Sequence, residues 1–345
     1  MSAPFRVALV GYGTGGRYFH APFIAAADDI EVGAIVTRSP VRRVRAAEEV
    51  PGAVVVDDLA AALATRPDLV VLTTPTATRR ELVLQSIAAG VPTIADKPFA
   101  VDVALARELR DAAAAAGVPL GVFHNRRWDA DVRTVRAVLD SGELGTIGRF
   151  TSRFDLDDPA TFDTTEGGGM LRDLGSHLVD QAFWLFGPVR RVYAELDHVE
   201  IDGTPVDSAF DISLEHVCGV HSQVSATKLH HAVQRELRVL GALGSFRSDG
   251  TDVQAQAVFA GRRPLDDPDW GFEAEERWGE IRTGAGVRRI PSARGAYQHF
   301  YTAVARALRT GGPLPVTADD AVAVTAILDA ARTSALEHRI VTLQD

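Results

Sequence analysis

The chain has 345 residues, which is long for one typical domain and suits two. Its formal net charge is -10 and no basic block interrupts that acidity, so electrostatics argue against a nucleic-acid partner. The single cysteine, Cys218, can form neither an internal disulfide nor a thiolate metal cage, which fits a reducing cytoplasm.

The chain begins Met-Ser-Ala-Pro-Phe-Arg and passes directly into a strand-like run, without the basic start and apolar middle of a signal peptide. No apolar run approaches the roughly 18 residues of a membrane span. We therefore expect a soluble, cytoplasmic protein with no membrane partner.

The first 125 residues alternate short apolar runs with helix-like segments. These runs suit strands buried on both faces of a parallel sheet, and they cover residues 6–10, 32–37, 53–56, 69–73, 93–95 and 120–123. Helix patterns at 76–89 and 102–116 end at Gly90 and Gly117, where a left-handed residue is favoured. This alternation predicts a doubly wound Rossmann domain over residues 1–125.

The pattern changes after residue 125, and we assign residues 126–345 to a second α/β domain. Alternation of polar and apolar residues from 189 to about 259 predicts a large open, mainly antiparallel sheet. Residues 261–286 resemble a long acidic excursion. A capping box of Thr317 and Asp320 opens the last helix. The predicted helices are 129–140, 169–186, 293–309 and 317–336, and a final strand or helix near 340–343 is expected to return to a sheet or to the first domain.

A glycine-rich loop, Gly11-Tyr12-Gly13-Thr14-Gly15-Gly16, follows the first strand and opens a helix. Gly11 permits a tight turn, Gly13 lets the backbone approach a pyrophosphate, and Gly16 allows the helix to pack closely on the strand. The helix N-terminus then presents N–H groups to the phosphates. This strand–loop–helix context predicts dinucleotide binding.

The end of the second strand indicates which dinucleotide binds. NAD sites usually place Asp or Glu here, whereas this chain has Thr37, Arg38 and Ser39, which suit a 2′-phosphate. We therefore favour NADP, with NAD as the alternative, and interpret Arg42, Arg43 and Arg45 as a solvated helix face. The expected cofactor-binding residues are Gly11, Tyr12, Gly13, Thr14, Gly16, Thr37, Arg38, Ser39, Thr74, Pro75 and Asp96.

Two further stretches hold residues suited to alcohol oxidation. Lys97 follows the fifth strand, and Asp173 and His177 are four apart, so they share one face of a helix. Histidine is a suitable base near neutral pH, and a lysine ammonium can stabilise developing alkoxide charge. Lysine occurs only twice, at Lys97 and Lys228, in a chain otherwise rich in arginine. Taken alone, Asp173 and His177 could be an ordinary surface pair on a helix, and Lys97 could be an ordinary cation in a loop.

Together, the stretches GYGTGGRYFHAPFI, ADKPFA, VFHNRRWD, GGGMLRDLGSHLVDQAFWLFG, GRRPLDDPDWG and LPVTADDA resemble the glucose–fructose oxidoreductase/inositol dehydrogenase family, and its NADP-dependent scyllo-inositol dehydrogenase branch in particular. The resemblance implies hydride transfer between nicotinamide and a ring secondary alcohol of an inositol or sugar. It also implies Lys97, Asp173 and His177 as catalytic residues, and a C-terminal sheet that often forms an oligomer interface. We accordingly expect a homodimer or homotetramer.

The chain departs from the family pattern in three places. Asp96 stands where Glu is usual, and Arg79 stands where histidine is common, so Arg79 is assigned no role. Residues 224–231 are less like the inositol branch, which leaves the exact substrate open.

The remaining predictions concern the substrate and the function class. Asn125, Trp128, Arg153 and Asp155 are candidate substrate-binding residues, and no ligand spacing indicates a metal. One alternative is a dehydrogenase or reductase of another sugar, an anhydro-sugar or a glycoside. An alternative of another class is a dinucleotide-binding sensor without turnover.

Overall fold

The computed structural model describes residues 3–162, 168–229, 231 and 233–343. Within these residues the chain divides into two units, and both draw on separated segments. The first unit comprises Met1–Asn125, Gln254–Trp270 and Ala296–Val322. The second comprises Arg126–Val253, Gly271–Gly295 and Ala323–Asp345.

The first unit is built on a parallel sheet of six described strands. They are β1 (Phe5–Val10), β2 (Ile30–Val36), β3 (Val54–Val56), β4 (Leu69–Leu72), β5 (Thr93–Asp96) and β6 (Leu120–Phe123). Their order is β3-β2-β1-β4-β5-β6, so the winding reverses between β1 and β4. Val7, Leu9 and Val71 are fully buried, as expected for strands covered on both faces. The predicted Rossmann fold is confirmed, and its ligand crevice lies at the carboxyl ends of β1 and β4.

The helices of the described residues follow most of the predicted pattern. A short π-type helix spans Gly15–His20, and the α-helices are α1 (Ala21–Ala25), α2 (Pro40–Glu49), α3 (Leu59–Ala64), α4 (Arg79–Ala88), α5 (Val103–Ala116), α6 (Ala130–Asp140), α7 (Met170–Phe186), α8 (Val253–Phe259), α9 (Gln298–Thr310) and α10 (Ala318–Glu337). Gly90 and Gly117 are left-handed, as predicted for residues that follow helices. Thr317 and Asp320 form the predicted capping box, with reciprocal N–H···O bonds of 3.1 and 3.2 Å.

The second unit is built on a sheet of nine described strands. They are β7 (Ile147–Asp155), β8 (Val189–Ile201), β9 (Thr204–His216), β10 (His221–Thr227), β11 (Gln234–Gly241), β12 (Gly244–Ser248), β13 (Gly279–Thr283), β14 (Gly286–Ile290) and β15 (Val341–Thr342). Their order is β14-β13-β12-β11-β7-β10-β9-β8-β15. Among the described strand pairs of this sheet, only β7 and β10 are parallel. The prediction of a mainly antiparallel sheet is confirmed.

One face of this sheet forms the core of the second unit. Helix α7 packs on β7, β9 and β10, and the buried core there includes Leu174, Leu178, Phe210 and Val224. Alternate residues of the same strands point to the opposite face, which we call the open face. The sheet therefore holds α7 on one side and presents a polar surface on the other.

The structure corrects the sequence pattern in two regions. Residues 253–259 form α8 rather than a strand, because the helix lets the Gln254 side chain accept from Trp270 Nε1 at 3.2 Å and from Tyr297 N at 2.9 Å. The region interpreted as an excursion, 261–286, contains β13 and the start of a hairpin with β14. A run of seven residues that alternates polar and apolar side chains, such as 253–259, fits a strand or a helix. The choice depends here on contacts with residues distant in sequence.

The later segments complete the first unit in two places. Trp270 is fully buried against Phe23, with ring centroids 5.5 Å apart. Val122 N donates to Val316 O at 3.3 Å, and Gly121 forms a bridge with Thr317, so this segment pairs with the edge strand β6. Across the described residues, no helix is both long and apolar enough to cross a membrane.

Candidate active site

The glycine loop of the first unit makes a close-packed turn at the end of β1. A Cβ on Gly16 would lie 2.2 Å from Gly11 O, so the helix can approach the strand only because residue 16 has no side chain. A Cβ on Gly15 would lie 3.0 Å from Asp96 Oδ2, which places that carboxylate against the loop. The Tyr12 side chain is buried and its hydroxyl donates to Glu49 at 2.9 Å. Tyr12 therefore contributes only its backbone to the exposed surface of the loop. This backbone cradle fits a dinucleotide pyrophosphate.

One guanidinium group, that of Arg42 in the first turn of α2, lies near that loop. Arg38 is exposed, and the Arg42 guanidinium lies 3.7 Å from the position of a Cβ on Gly13. Ser39 caps α2 by accepting from Arg42 N at 3.4 Å, and Thr37 is buried. The sequence pattern places Arg42 on a solvated helix face, and only the fold shows that the first turn of α2 borders the glycine loop.

Arg43 is partly solvated, and it also bonds to neighbouring segments. Its guanidinium pairs with Asp57 at 2.5 Å and donates to the carbonyls of Thr37 and Val55. It therefore braces the end of β2 against β3.

The loop after β4 contains Thr74 and Pro75 and is held by a buried arginine. Arg79 is 1% exposed, and it donates to Leu72 O at 3.0 Å and to Thr74 O at 3.4 Å. Burial lowers the pKa of Arg79 to about 10, and the nearby Asp96 charge opposes that shift. Arg79 thus remains a cation at neutral pH and fastens the predicted cofactor loop to its strand, a role that the sequence analysis missed.

Asp96 ends β5 among three cationic or polar neighbours. Its Oδ2 lies 3.3 Å from Nε2 of the fully buried His20, whose Nδ1 shares a short hydrogen bond with Tyr301. Burial favours the neutral acid, but His20, Arg79 and Lys97 outweigh it and lower the pKa of Asp96. Burial and the Asp96 charge raise the pKa of Tyr301. Asp96 is therefore an ionised acceptor beside the glycine loop.

Lys97 follows directly and is half-buried. Its backbone N–H donates to Asp96 Oδ1 at 2.8 Å, and its peptide bond to Pro98 is cis. The carboxyl ends of β1, β2, β4 and β5 therefore bring together the predicted cofactor residues and Lys97 in one unit.

Helix α7 of the second unit begins at a specific cap. Gly169 precedes the helix with φ +93°, and Asp207 on β9 accepts from Leu171 N at 2.6 Å. A carboxylate at a helix N-terminus is stabilised by the free N–H groups and the helix dipole. Asp173 follows in the first turn and His177 one turn later, and His177 is 5% exposed. Gly167 of the motif lies outside the described residues.

Asp173 pairs with the second lysine of the chain. The Nζ atom of Lys228 lies 2.7 Å from Asp173 Oδ2 and 3.2 Å from Thr161 O. Lys228 is buried at the end of β10. Sequence reasoning missed this residue as part of the site. Its one sequence signal was the scarcity of lysine, since 55 residues separate it from its partner. His230 lies outside the described residues.

The segment after β6 provides a second anchor for α7. Arg127 donates from Nε and a terminal nitrogen to the two carboxylate oxygens of Asp180, at 2.9 and 2.7 Å, and both side chains are buried. Asp180 is three residues after His177, so this bidentate pair fixes the helix turn that holds the histidine. Asn125 is buried and Trp128 half-buried in the short 3-10 turn between β6 and α6.

Arg153 and Asp155 are not brought to the Asp173 group. Strand alternation turns Ser152 and Phe154 toward the core, which directs residues 153 and 155 to the open face. There Arg153 Nε pairs with Asp155 Oδ2 at 2.5 Å, beside Glu195 and Asp211. The two predicted substrate residues therefore form an ion pair on the opposite side of the sheet from α7.

Comparisons with known proteins agree with this architecture. Residues 5–124 match the oxidoreductase family with an NAD-binding Rossmann fold, and residues 132–247 match the GFO/IDH/MocA C-terminal domain. The chain belongs to the GFO/IDH/MocA oxidoreductase family. The resemblance inferred from the sequence motifs is thereby confirmed.

Individual relatives of this family resemble the chain over nearly its whole length. It is 32% identical to the scyllo-inositol 2-dehydrogenase (NADP(+)) IolW of Bacillus subtilis, over 98% of this chain and 96% of that protein. It is 30% identical to the D-apiose dehydrogenase of Paraburkholderia graminis, over 99% and 90%. The structure of the oxidoreductase yvaA of Bacillus subtilis superposes with a TM-score of 0.89 at 30% identity, covering 98% of this chain and all of that one.

Family membership settles the function class. Its members are dehydrogenases and oxidoreductases, so this GFO/IDH/MocA protein is an NAD(P)-dependent oxidoreductase. The alternative of a sensor without turnover is thereby set aside.

Proposed function

We propose that this oxidoreductase transfers a hydride between NADP and a ring secondary alcohol of an inositol or sugar, as a scyllo-inositol 2-dehydrogenase does. The observation that carries the proposal is the placement of Asp173 and His177 on successive turns of α7, held by the Asp207 cap and the Arg127–Asp180 pair. The similarity to IolW supports the substrate class and the cofactor.

The residues of the first unit fit the cofactor. The glycine cradle would hold the pyrophosphate, and Arg38 with Arg42 would bind the 2′-phosphate as planar donors. Thr74, Pro75 and the ionised Asp96 would line the rest of the dinucleotide. When bound, the nicotinamide supplies the hydride acceptor at its C4 atom.

The chain's own residues handle the proton and the charge. As the substrate C–H and O–H bonds break and a C=O bond forms, His177 accepts the hydroxyl proton. Lys97 is the electrostatic and proton-relay partner, since its ammonium stabilises the negative charge that develops on an alcohol oxygen and can exchange a proton. Asp173 orients the substrate hydroxyls and the imidazole. In the reverse direction, His177 returns the proton to the carbonyl oxygen.

A second candidate substrate is another sugar. The D-apiose dehydrogenase relative supports it, because that similarity also covers nearly the whole chain. Residues 224–231, which differ from the inositol branch, include Lys228 beside Asp173. Both candidates predict the same bond changes.

The deciding measurement is the initial rate of reduced-cofactor formation with scyllo-inositol, run in parallel with NADP and NAD. A clear rate with NADP and little with NAD supports both parts of the proposal. No rate with either, from protein that binds cofactor, overturns the inositol assignment, and a panel of sugars then tests the second candidate.

We also propose a cytoplasmic homodimer or homotetramer, and the charge pattern of the open face supports the assembly. One half is mainly basic, with Arg149, Arg191, His221 and Arg238 around Glu215. The other half is mainly acidic, with Asp155, Glu195, Asp197 and Asp211 around Arg153. A twofold axis that runs the strands of two copies in opposite directions would place each basic half on an acidic half. Sedimentation at low and high salt tests this, since screening should weaken such an assembly.

A further inference from the structure

The second lysine of the chain occupies a rigid, buried position. Lys228 follows β10 directly, and its carbonyl accepts from Asp158 N at 3.2 Å, while the Thr227 carbonyl accepts from Leu156 N at 2.8 Å. These bonds tie the end of β10 to the segment after β7. The Lys228 backbone is thus fixed from a neighbouring segment, and the residue is only 5% exposed.

The ammonium of Lys228 joins three elements. It donates to Asp173 on α7 at 2.7 Å and to the carbonyl of Thr161 at 3.2 Å, and it lies 5.9 Å from the centre of the Phe162 ring. Burying an ammonium is costly unless it is paired and hydrogen-bonded. Here the acceptor that balances its charge is the carboxylate to which the proposed function gives a role.

The two partners differ in exposure. The Asp173 side chain is 32% exposed, whereas the Lys228 side chain is 6% exposed. The carboxylate can therefore meet a ligand while the ammonium holds it from behind. A carboxylate fixed in this way does not have to be ordered when substrate binds, which lowers the entropic cost of binding and of reaching the reactive geometry.

The side-chain chemistry also explains why a lysine occurs in a chain that otherwise uses arginine. An ammonium is a compact point charge that fits between a carboxylate and a carbonyl, whereas a guanidinium is a wider planar fork. At the end of β10, the ammonium lies 2.7 Å from the Asp173 carboxylate and 3.2 Å from the Thr161 carbonyl.

We propose that Lys228 is a positioning residue for the reaction: its ammonium holds the carboxylate of Asp173 in one orientation on α7. This inference rests on the proposed function of Asp173. It adds Lys228 to the proposed substrate site of the second unit. The carboxylate of that site is then one half of an ion pair rather than an isolated negative charge.

The test is a double-mutant cycle on kcat/KM, measured with the first ring polyol or sugar that the wild-type enzyme turns over. The variants are Lys228→Met, Asp173→Asn and the double variant. We expect Lys228→Met to lower kcat/KM about tenfold or more, the scale of coupling between residues in contact, with the KM for cofactor unchanged. In the Asp173→Asn background, the same change should have little further effect.

Two controls separate positioning from folding. Lys228→Gln keeps a donor without the charge and should retain more activity than Lys228→Met. Arg288→Met removes an exposed pair with Glu143, 2.6 Å apart in the same unit, and should leave kcat/KM unchanged. Thermal unfolding of each variant identifies losses that come from misfolding.

The outcomes are distinguishable. Losses that add independently in the double variant, or a Lys228→Met enzyme with wild-type kcat/KM, overturn the positioning role while the proposed function stands. A folded wild-type protein with no turnover on any ring polyol or sugar overturns the proposed function and the inference with it.

Discussion

The carboxylate of Asp207 occupies the place that a side chain on Gly169 would take. A Cβ built on Gly169 would lie 2.0 Å from Asp207 Oδ1, and Oδ2 accepts the N–H of Leu171 at 2.6 Å. Helix α7, which holds Asp173 and His177, can therefore begin as it does because residue 169 is glycine and because a carboxylate on strand β9 accepts a hydrogen bond from its first turn.

Gly169→Ala should destabilise this start. The residue has φ +93°, and the new methyl group would displace Asp207, so we expect a loss of about 2 kcal/mol or more in the free energy of unfolding. Gly148→Ala is the matched control, since its Cβ would meet only Leu240 O at 4.0 Å. Denaturant unfolding of both variants checks this. Equal midpoints for the two would show that the Asp207 cap does not hold the helix.

Arg79→Met should change how stability depends on acid pH. The pKa of Asp96 is lowered in the folded protein, so its ionised form stabilises the fold above the unfolded value of about 3.9, and this stabilisation is lost as the pH falls through the folded pKa. Removing the Arg79 cation raises that pKa, so the loss begins at less acidic pH. The melting temperature of each protein as a function of pH measures the shift.

Arg79→Lys is the control for that experiment because it keeps the charge. It should follow the wild-type pH dependence more closely than Arg79→Met does, even if both variants lose hydrogen bonds to the loop after β4. Parallel curves for wild type and Arg79→Met would rule out an electrostatic link to Asp96.

Arg38→Ala and Arg42→Ala should each weaken NADP use selectively. A hydrogen bond to a charged group contributes about 1.5–3 kcal/mol, which corresponds to about a 10- to 100-fold rise in the KM for NADP. The KM for NAD should stay the same, since NAD lacks the 2′-phosphate. Arg45→Ala, an exposed change on the same helix, is the control. An equal effect on both cofactors would place these arginines outside the 2′-phosphate site.

Lys97→Met and His177→Asn should each reduce turnover roughly 100- to 10,000-fold while cofactor binding is retained. Lys97→Arg should also be poor, because arginine keeps the charge but does not exchange protons near neutral pH. Initial rates and fluorescence titration with reduced cofactor provide the two readouts. Near-wild-type turnover in folded Lys97→Met or His177→Asn protein would contradict their assignment.

Local sequence signals were enough for the parallel sheet of the first unit. The predicted strand 120–123 matches β6, and the predicted run 6–10 differs from β1 by one residue. A buried parallel strand can be recognised from the apolar run in its own residues, and the end of a helix can be recognised from the glycine that follows it. The glycine loop could be recognised for the same reason, since its order of strand, turn and helix is contiguous.

The parts that sequence analysis missed depend on distant partners. Lys228 and Asp173 are 55 residues apart. The partners of Arg79 are near in sequence, but only the fold shows that its side chain is buried against them. The placement of Arg153 away from α7 could not be predicted either, because alternation along β7 fixes two faces without saying which one meets α7. The helix at 253–259 depends on Trp270 and Tyr297, which no short window includes.

The pairing of β6 with residues 316 and 317 bears on how the protein is made. The edge of the parallel sheet is covered by residues 316 and 317, and Phe23 packs against Trp270, so both contacts use segments synthesised after strands β7 to β12 of the second unit. Until then, the nascent first 125 residues expose a bare strand edge and an unfilled aromatic contact. The first unit therefore completes its fold only after much of the second unit has been synthesised, although most of its own sequence precedes that unit.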